Sequence, residues 1–168
     1  LITCRVRDAD GAEGVGYTYT VGRNGGAVAD ILKREIPPLV EGREADDTEA
    51  IWHHVWWGLH YGGRGGPAVL ALSALDIALW DLKGKLLGQP IYKLLGGAWR
   101  TALPFYASIG GNGVRSVDEV LRAVEARLKD NPAAVKIRFD NDRTRLDSDI
   151  PGDIAKAKAV RKLVGDAF

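Results

Sequence analysis

The first residues of the chain alternate between apolar and polar side chains. Such alternation predicts extended strands with one face buried and the other in water. Between the two alternating runs, Asp10 and Gly11 supply the residue types that tight hairpin turns favour. We therefore expect residues 1 to 21 to form a β-hairpin. The alternating apolar positions are Ile2, Cys4, Val6, Val15, Tyr17, Tyr19 and Val21.

Two segments with helical periodicity follow the hairpin. The first starts near Ala27, and we expect Pro37 and Pro38 to end it, because proline cannot donate the hydrogen bond that continues a helix. The second starts after Asp47, a residue type that favours the N-cap position. Both segments have apolar residues on one face only, which is typical of helices packed on a core.

A third helical segment is apolar on nearly all sides. Pro67 fits its first turn and Gly88 fits its C-terminal cap. A helix of this kind must be covered over most of its surface. Antiparallel strands followed by helices predict an α+β domain, which we assign to residues 1–102.

The remainder of the chain alternates strand and helix patterns. Leu103 to Ile109 and Ala134 to Phe139 are predicted strands, and a helix is predicted after each. Ser116 and Glu119 have the spacing of a capping box at the start of the first of these helices. The order predicts parallel strands with right-handed crossovers. We interpret residues 103–168 as the first two units of a β/α barrel, or as the start of an open doubly wound sheet.

The amino-acid composition limits the classes of molecule that the protein is expected to bind. The 23 basic residues nearly balance the 22 acidic ones, so neither nucleic acid nor a membrane surface is favoured. The longest apolar stretch is interrupted by Asp76 and Asp81, which argues against a membrane span. The single Cys4 and the absence of a recognisable signal peptide predict a cytoplasmic protein. Both ends are expected to be incomplete, because the chain starts without Met inside a strand pattern and stops where a further strand is expected.

The predicted strand near residue 136 contains the sharpest chemical signal. Lys136 and Arg138 share one face of it, because side chains alternate along a strand. Parallel strands are normally buried on both faces, and two buried cations need anionic partners. A negatively charged substrate in the mouth of a barrel would supply them. The alternation of side chains is also consistent with a strand at the edge of a sheet, with Lys136 and Arg138 facing water.

Two adjoining segments resemble a known family. They are ALDIALWDLKGK at residues 74–85 and GQPIYKLLGG at residues 88–97. Together they closely resemble the mandelate racemase and muconate lactonizing branch of the enolase superfamily, and the hairpin and the strand at 134–138 fall where that family has them. The resemblance implies an α+β capping domain followed by a modified β/α barrel. It also implies a Mg²⁺ cofactor, an enolate formed from a small carboxylate substrate, and a homo-oligomer.

The resemblance gives roles to the two basic residues. Family members have a Lys-x-Lys pair on the second barrel strand, and Lys136 matches the first lysine, which lies near the substrate carboxylate. Arg138 replaces the second, which often acts as a base, whereas arginine stays protonated near neutral pH. We therefore favour dehydration of a sugar acid, with Arg138 holding a substrate oxygen. The implied metal ligands would follow Phe168, so no metal ligand is assigned within the chain.

The family also uses loops of the capping domain to choose the substrate. The candidates for this role are Tyr19, Arg23, Tyr61 and Arg64, which lie on two predicted loops. Three other functions remain open. A racemase or epimerase and a cycloisomerase would use the same enolate chemistry, and a non-catalytic binding or assembly module would use none of it.

Overall fold

A computed structural model describes most of the chain, and its contacts divide the chain into two units, Leu1–Trp99 and Arg100–Phe168. The described residues are 1–109, 115–139, 149–166 and 168. Within these ranges, every helix is either too short or too polar to cross a lipid bilayer.

The first unit begins with the predicted hairpin. Strand β1 (Ile2–Arg7) pairs antiparallel with strand β2 (Glu13–Thr18). Gly11 lies in the turn with a φ of 92°, a conformation that glycine adopts without a steric penalty. The hairpin prediction is confirmed, although β2 ends at Thr18, three residues before the end of the alternating pattern.

The next helical segment differs from its prediction. Helix α1 (Gly25–Asp30) continues into a π-helical turn (Ile31–Glu35), and helix α2 (Pro37–Val40) follows directly. The first helical segment thus ends at Glu35, just before the two prolines, as expected, but the short helix that starts at Pro37 was not predicted. The wide turn closes with a hydrogen bond from the Ile36 amide to the Ile31 carbonyl, and both prolines lie in the first turn of α2, where no amide hydrogen is needed.

Two longer helices complete most of the first unit. Helix α3 (Thr48–Gly58) starts after Asp47, as predicted, but the Asp47 side chain makes no capping hydrogen bond. A short 3₁₀ turn (His60–Gly62) leads to helix α4 (Gly66–Leu86), and helix α5 (Ile91–Leu94) follows. Helix α4 supplies much of the core. Its buried residues are Ala68, Ala71, Leu72, Ala74, Leu75, Ala78, Leu79, Leu82 and Gly84.

Helix α4 lies directly against the backbone of β2 because two glycines leave room for it. A Cβ atom at Gly14 would lie 2.7 Å from the Leu82 backbone nitrogen, and one at Gly16 would lie 2.6 Å from the Ala78 nitrogen. Real Cβ atoms essentially never approach other heavy atoms this closely. The alternation of glycines on β2 thus sets how deeply α4 sits on the hairpin.

The second unit has the predicted βαβα order. It consists of strand β3 (Tyr106–Ile109), helix α6 (Val117–Leu128), strand β4 (Ala134–Ile137) and helix α7 (Ile150–Val164). The two strands are parallel. Both are shorter than expected, and α7 starts four residues before Ile154, where the sequence pattern predicts the start of this helix. The earlier start follows from Asp149, whose carboxylate accepts a hydrogen bond from the Gly152 amide at 3.0 Å.

The predicted capping box is present at the start of α6. The Glu119 amide donates to Ser116 Oγ at 3.3 Å, and the Ser116 amide donates to Glu119 Oε2 at 2.8 Å. These reciprocal bonds satisfy two amides that would otherwise lack partners within the helix. The sequence therefore predicted the first residue of this helix correctly.

The core of the second unit lies on one side of its two strands. Its buried members are Ala107, Ile109, Val120, Val124 and Val160, and Val135 and Ile137 pack against them. These strand residues face the helices. Their neighbours Tyr106, Ser108, Ala134 and Lys136 are exposed and lie on the opposite face. This second face is where a barrel built from such units would have its interior.

Candidate active site

Lys136 lies on the face of β4 that points away from the helices of its unit. Its register partner on β3 is Ser108, so the two side chains are adjacent on that face. The Lys136 Nζ atom lies 5.4 Å from the centroid of the Tyr106 ring. No carboxylate within residues 1–109, 115–139, 149–166 and 168 pairs with Lys136. The ammonium group therefore remains accessible to an anionic ligand.

Arg138 follows the end of β4 and is exposed. The last strand residue, Ile137, separates it from Lys136. Lys136 and Arg138 were predicted to share one face of the strand because they are two residues apart. In the structure, Lys136 lies within the strand and Arg138 lies just after its end. A role for either residue in catalysis stays a prediction.

The first pair of predicted substrate-binding residues lies on the turn that follows β2. Tyr19 is exposed, and the Arg23 amide donates a hydrogen bond to the Thr20 carbonyl at 3.0 Å. Val21 and Asn24 have positive φ angles of 51° and 56°, so the turn is tightly folded although neither residue is glycine. The turn presents both candidates on the surface of the first unit.

The second pair belongs to a cluster of aromatic residues at the end of α3. The Arg64 guanidinium lies 4.4 Å from the centroid of the Trp57 ring and 5.5 Å from that of Trp56. His60 Nδ1 forms a hydrogen bond with the Trp57 carbonyl at 2.6 Å, and its ring centroid lies 4.0 Å from that of Tyr61. These five residues form what we call the Trp–Arg cluster.

Within the Trp–Arg cluster, Arg64 is restricted by its neighbours, whereas Tyr61 is exposed and could contact a ligand. Contact with two indole rings limits the orientations of Arg64, because a guanidinium is attracted to the faces of aromatic rings. Tyr61 is 95% exposed. Sequence reasoning identified Tyr61 and Arg64 but missed Trp56 and Trp57, and the signal that could have revealed them was the concentration of tryptophans just before the glycine-rich loop.

Two aspartates on α4 have opposite environments. The amide of Val15 donates to Asp81 Oδ2 at 2.8 Å, and Lys85 Nζ lies 2.7 Å from the same oxygen. Both bonds lower the pKa of Asp81, with Lys85 as the larger cause. Lys85 Nζ also donates to the Glu13 carbonyl at 2.9 Å. The pair therefore joins α4 to β2, which is a structural role.

Asp76 is half-buried, and loss of hydration raises the pKa of its carboxyl group. Its carboxylate accepts no hydrogen bond from any residue in the described part of the chain. The charged form of Asp76 is consequently disfavoured in the folded protein relative to the unfolded one.

No metal site is present among the residues that the structure describes. In those ranges, no three His, Cys, Asp or Glu side chains lie close enough together to hold an ion. Divalent ions such as Mg²⁺ need several oxygen ligands in one place. The described residues do not fit a magnesium ion by themselves.

Comparison with known proteins agrees with the fold. A family model described as "Mandelate racemase / muconate lactonizing enzyme, N-terminal domain" matches residues 1–96. A solved mandelate racemase/muconate lactonizing protein from Paracoccus denitrificans, complexed with magnesium, is 56% identical with a TM-score of 0.89. That similarity covers 99% of this chain and 45% of the other.

Two curated relatives match over the full length of the chain. The 3,6-anhydro-alpha-L-galactonate cycloisomerase of Streptomyces coelicolor is 40% identical over 169 residues, which cover 100% of this chain and 44% of the relative. The L-talarate/galactarate dehydratase of Salmonella typhimurium is 34% identical over 168 residues, which cover 100% of this chain and 40% of the relative. The chain thus spans less than half the length of either enzyme.

These matches confirm the predicted capping domain and agree with the start of a β/α barrel after it. They also confirm the resemblance that segments 74–85 and 88–97 indicated. The chain belongs to the mandelate racemase and muconate lactonizing enzyme branch of the enolase superfamily and corresponds to the N-terminal portion of its relatives.

Proposed function

We propose that the whole protein removes the proton beside the carboxylate of a sugar acid and eliminates water through an enolate intermediate. The observation that carries this proposal is Lys136, an accessible cation on the strand face opposite the helices, at the position of the family's first lysine. Removing the proton places a second negative charge on the carboxylate substrate, and a nearby ammonium group stabilises that charge. In this proposal, Lys136 binds the carboxylate and offsets the charge as it develops.

Arg138 has a different role in the proposal. Its guanidinium stays protonated near neutral pH, so it is a poor acceptor for the substrate proton. It can instead donate two parallel hydrogen bonds to a substrate oxygen or carboxylate. We therefore expect the base to come from another part of the protein, which favours elimination with a separate base over exchange between two lysines.

The surface candidates of the first unit are proposed to bind the distal groups of the substrate. Arg64 is suited to this because the two indole rings hold its guanidinium, so less rotational freedom is lost when it binds a carboxylate or hydroxyl. Tyr19, Arg23 and Tyr61 offer additional hydrogen-bond donors for a polyhydroxy acid.

We propose Mg²⁺ as the cofactor, supported by the magnesium in the Paracoccus denitrificans relative. The ligands would come from residues outside those that the structure describes. A bound divalent cation would polarise the substrate carboxylate and so lower the free-energy barrier to removal of the α-proton. A homo-oligomer and a cytoplasmic location remain parts of the proposal, the latter supported by the single cysteine.

A cycloisomerase or racemase is the second candidate, and the 40% identity to the Streptomyces coelicolor cycloisomerase favours it. Both reactions start with loss of the same α-proton. They differ from dehydration in what the enolate does next, because a cycloisomerase or racemase product retains all the atoms of the substrate. The mass of the product therefore separates the two candidates.

The experiment uses the whole protein with Mg²⁺ in D₂O and a panel of sugar acids that includes galactarate. Loss of water to give a 2-keto-3-deoxy acid supports the dehydratase. Uptake of deuterium without loss of water refutes dehydration and supports the second candidate. Absence of both deuterium uptake and product with every acid refutes the enolate chemistry and favours a binding or assembly module.

A lysine variant tests the role of Lys136. Lys136→Ala should reduce α-proton exchange by about 10³-fold or more, because it removes a charged group that stabilises the transition state. Lys158→Ala is the matched control, since Lys158 is an exposed lysine on α7, on the helical side of the same unit. Exchange at the wild-type rate in Lys136→Ala would remove Lys136 from the mechanism.

A further inference from the structure

The strand face that presents Lys136 also presents a tyrosine that the proposed function does not use. Tyr106 is the first residue of β3 and is 55% exposed. Its ring lies on the same side of the two-stranded sheet as Ser108 and Lys136, since all three alternate with residues that face the helices. Tyr106 is therefore not needed to cover the core of its unit.

The distance between the ring and the lysine is within the range of a cation–π interaction. Lys136 Nζ lies 5.4 Å from the Tyr106 centroid, and an ammonium group within about 6 Å of an aromatic face is attracted to it. Lysine has four rotatable side-chain bonds and loses much rotational freedom when its end group is fixed. The ring is carried by a strand whose register with β4 is set by backbone pairing, and a tyrosine side chain has only two rotatable bonds to its ring. It can therefore hold the end of a side chain that would otherwise sample many positions.

We propose that Tyr106 is a positioning residue for Lys136: its ring holds the ammonium group at the place where the substrate carboxylate binds. This inference rests on the proposed function, because it concerns the residue that offsets the charge of the enolate. Tyr106 acts through Lys136 and not on the reacting atoms. The ring, and not the phenol hydroxyl, performs the task, so phenylalanine can replace tyrosine but leucine cannot.

Three variants of the whole protein test the proposal. Tyr106→Leu removes the ring, Tyr106→Phe keeps it, and Phe105→Leu removes the neighbouring ring, which is 49% exposed and has no cation–π contact within the described residues. With galactarate, or the acid of the panel that exchanges fastest, kcat for α-proton exchange should fall about 2- to 30-fold in Tyr106→Leu. Tyr106→Phe and Phe105→Leu should stay within about twofold of the wild type.

Each other result contradicts the proposal. An equal fall in Tyr106→Phe and Tyr106→Leu assigns the effect to the hydroxyl, and an unchanged kcat in Tyr106→Leu shows that the ring has no part. A rise in KM with unchanged kcat assigns Tyr106 to substrate binding. Thermal unfolding of every variant identifies a loss of folded protein, in which case kcat is referred to the folded fraction.

A second measurement needs no substrate and separates this inference from the proposed function. The rate at which acetic anhydride modifies Lys136 is measured by mass spectrometry, with Lys158 as internal reference. Loss of the contact that holds the ammonium group should raise the relative rate about 2- to 30-fold in Tyr106→Leu, and the rate should stay unchanged in Tyr106→Phe. If no acid exchanges its proton, the proposed function fails, whereas the labelling ratio still decides whether the ring holds Lys136. An unchanged ratio in Tyr106→Leu refutes the contact.

Discussion

The close approach of α4 to β2 gives a sharp prediction for Gly16→Ala. The added Cβ would lie 2.6 Å from the Ala78 backbone nitrogen and closer still to the Ala74 carbonyl oxygen. Ordinary van der Waals contact begins near 3.4 Å. Both neighbours are backbone atoms of a helix, so no side-chain rotation can relieve the overlap. The helix must move away from the hairpin by about 1 Å or the strand must bend.

The magnitude follows from what the movement disturbs. Helix α4 carries nine buried residues of its unit, so a displacement loosens contacts along much of the core. Overpacking a well-packed core typically costs about 1–3 kcal/mol, and a clash with rigid backbone belongs at the upper end. Alanine also lowers the entropy of the unfolded chain, which offsets only about 0.4–1 kcal/mol. We expect Gly16→Ala to lower the free energy of unfolding by about 2–3 kcal/mol.

The assay is urea unfolding of the whole protein followed by tryptophan fluorescence. Gly26→Ala is the matched control, because Gly26 lies in α1 and a Cβ there would have no neighbour within 4 Å. Alanine favours helix over glycine by up to about 1 kcal/mol, so the control should be neutral or stabilising. A Gly16→Ala protein within about 0.5 kcal/mol of the wild type would refute the argument from close approach.

Two further predictions concern the contribution of single side chains to the stability of the folded protein. Burial raises the pKa of Asp76, so ionisation of this carboxyl group destabilises the fold. The free energy of unfolding therefore falls as the pH rises through the range in which an ordinary aspartate ionises. Asp76→Asn should therefore stabilise the protein by up to about 1 kcal/mol at pH 7 and have no effect at pH 3, as measured by urea unfolding; a loss of stability at pH 7 would contradict this. Ser116→Ala should lower the free energy of unfolding by about 1 kcal/mol through loss of the N-cap, whereas Ser73→Ala, at an exposed position of α4, should change it by less than half as much, both measured by urea unfolding; equal changes in the two variants would contradict the cap.

Local patterns predicted the helices and strands well where one signal determined the result. The capping box fixed the start of α6 because both partners lie within four residues of each other. Helix α4 was recognisable from its apolar residues and its flanking Pro67 and Gly88. Pro37 and Pro38 correctly marked the end of the first helical segment, but they gave no sign of the short helix that starts at Pro37, because proline both ends a helix and favours the first turn of the next.

The candidate site was less predictable because its contacts depend on how the two strands pair and on how the loop after α3 folds. Spacing alone identified Lys136, but its proximity to Tyr106 depends on the parallel register of β3 and β4, which the sequence does not specify. The contact of Arg64 with Trp56 and Trp57 likewise requires the chain to turn back after α3. Neither contact has a periodic signal along the chain, although the second joins residues only seven and eight positions apart.

The bonds that Asp81 and Lys85 make to β2 have a consequence for how the hairpin behaves in solution. Asp81 accepts a hydrogen bond from the Val15 amide, and Lys85 donates one to the Glu13 carbonyl. The backbone of an adjacent strand would make hydrogen bonds with the same two groups. A helical ion pair thus occupies hydrogen-bonding groups on an edge that could otherwise recruit a strand from another molecule. Because charged groups at a sheet edge disfavour such pairing, the same two side chains that attach the helix also protect the hairpin from aggregation.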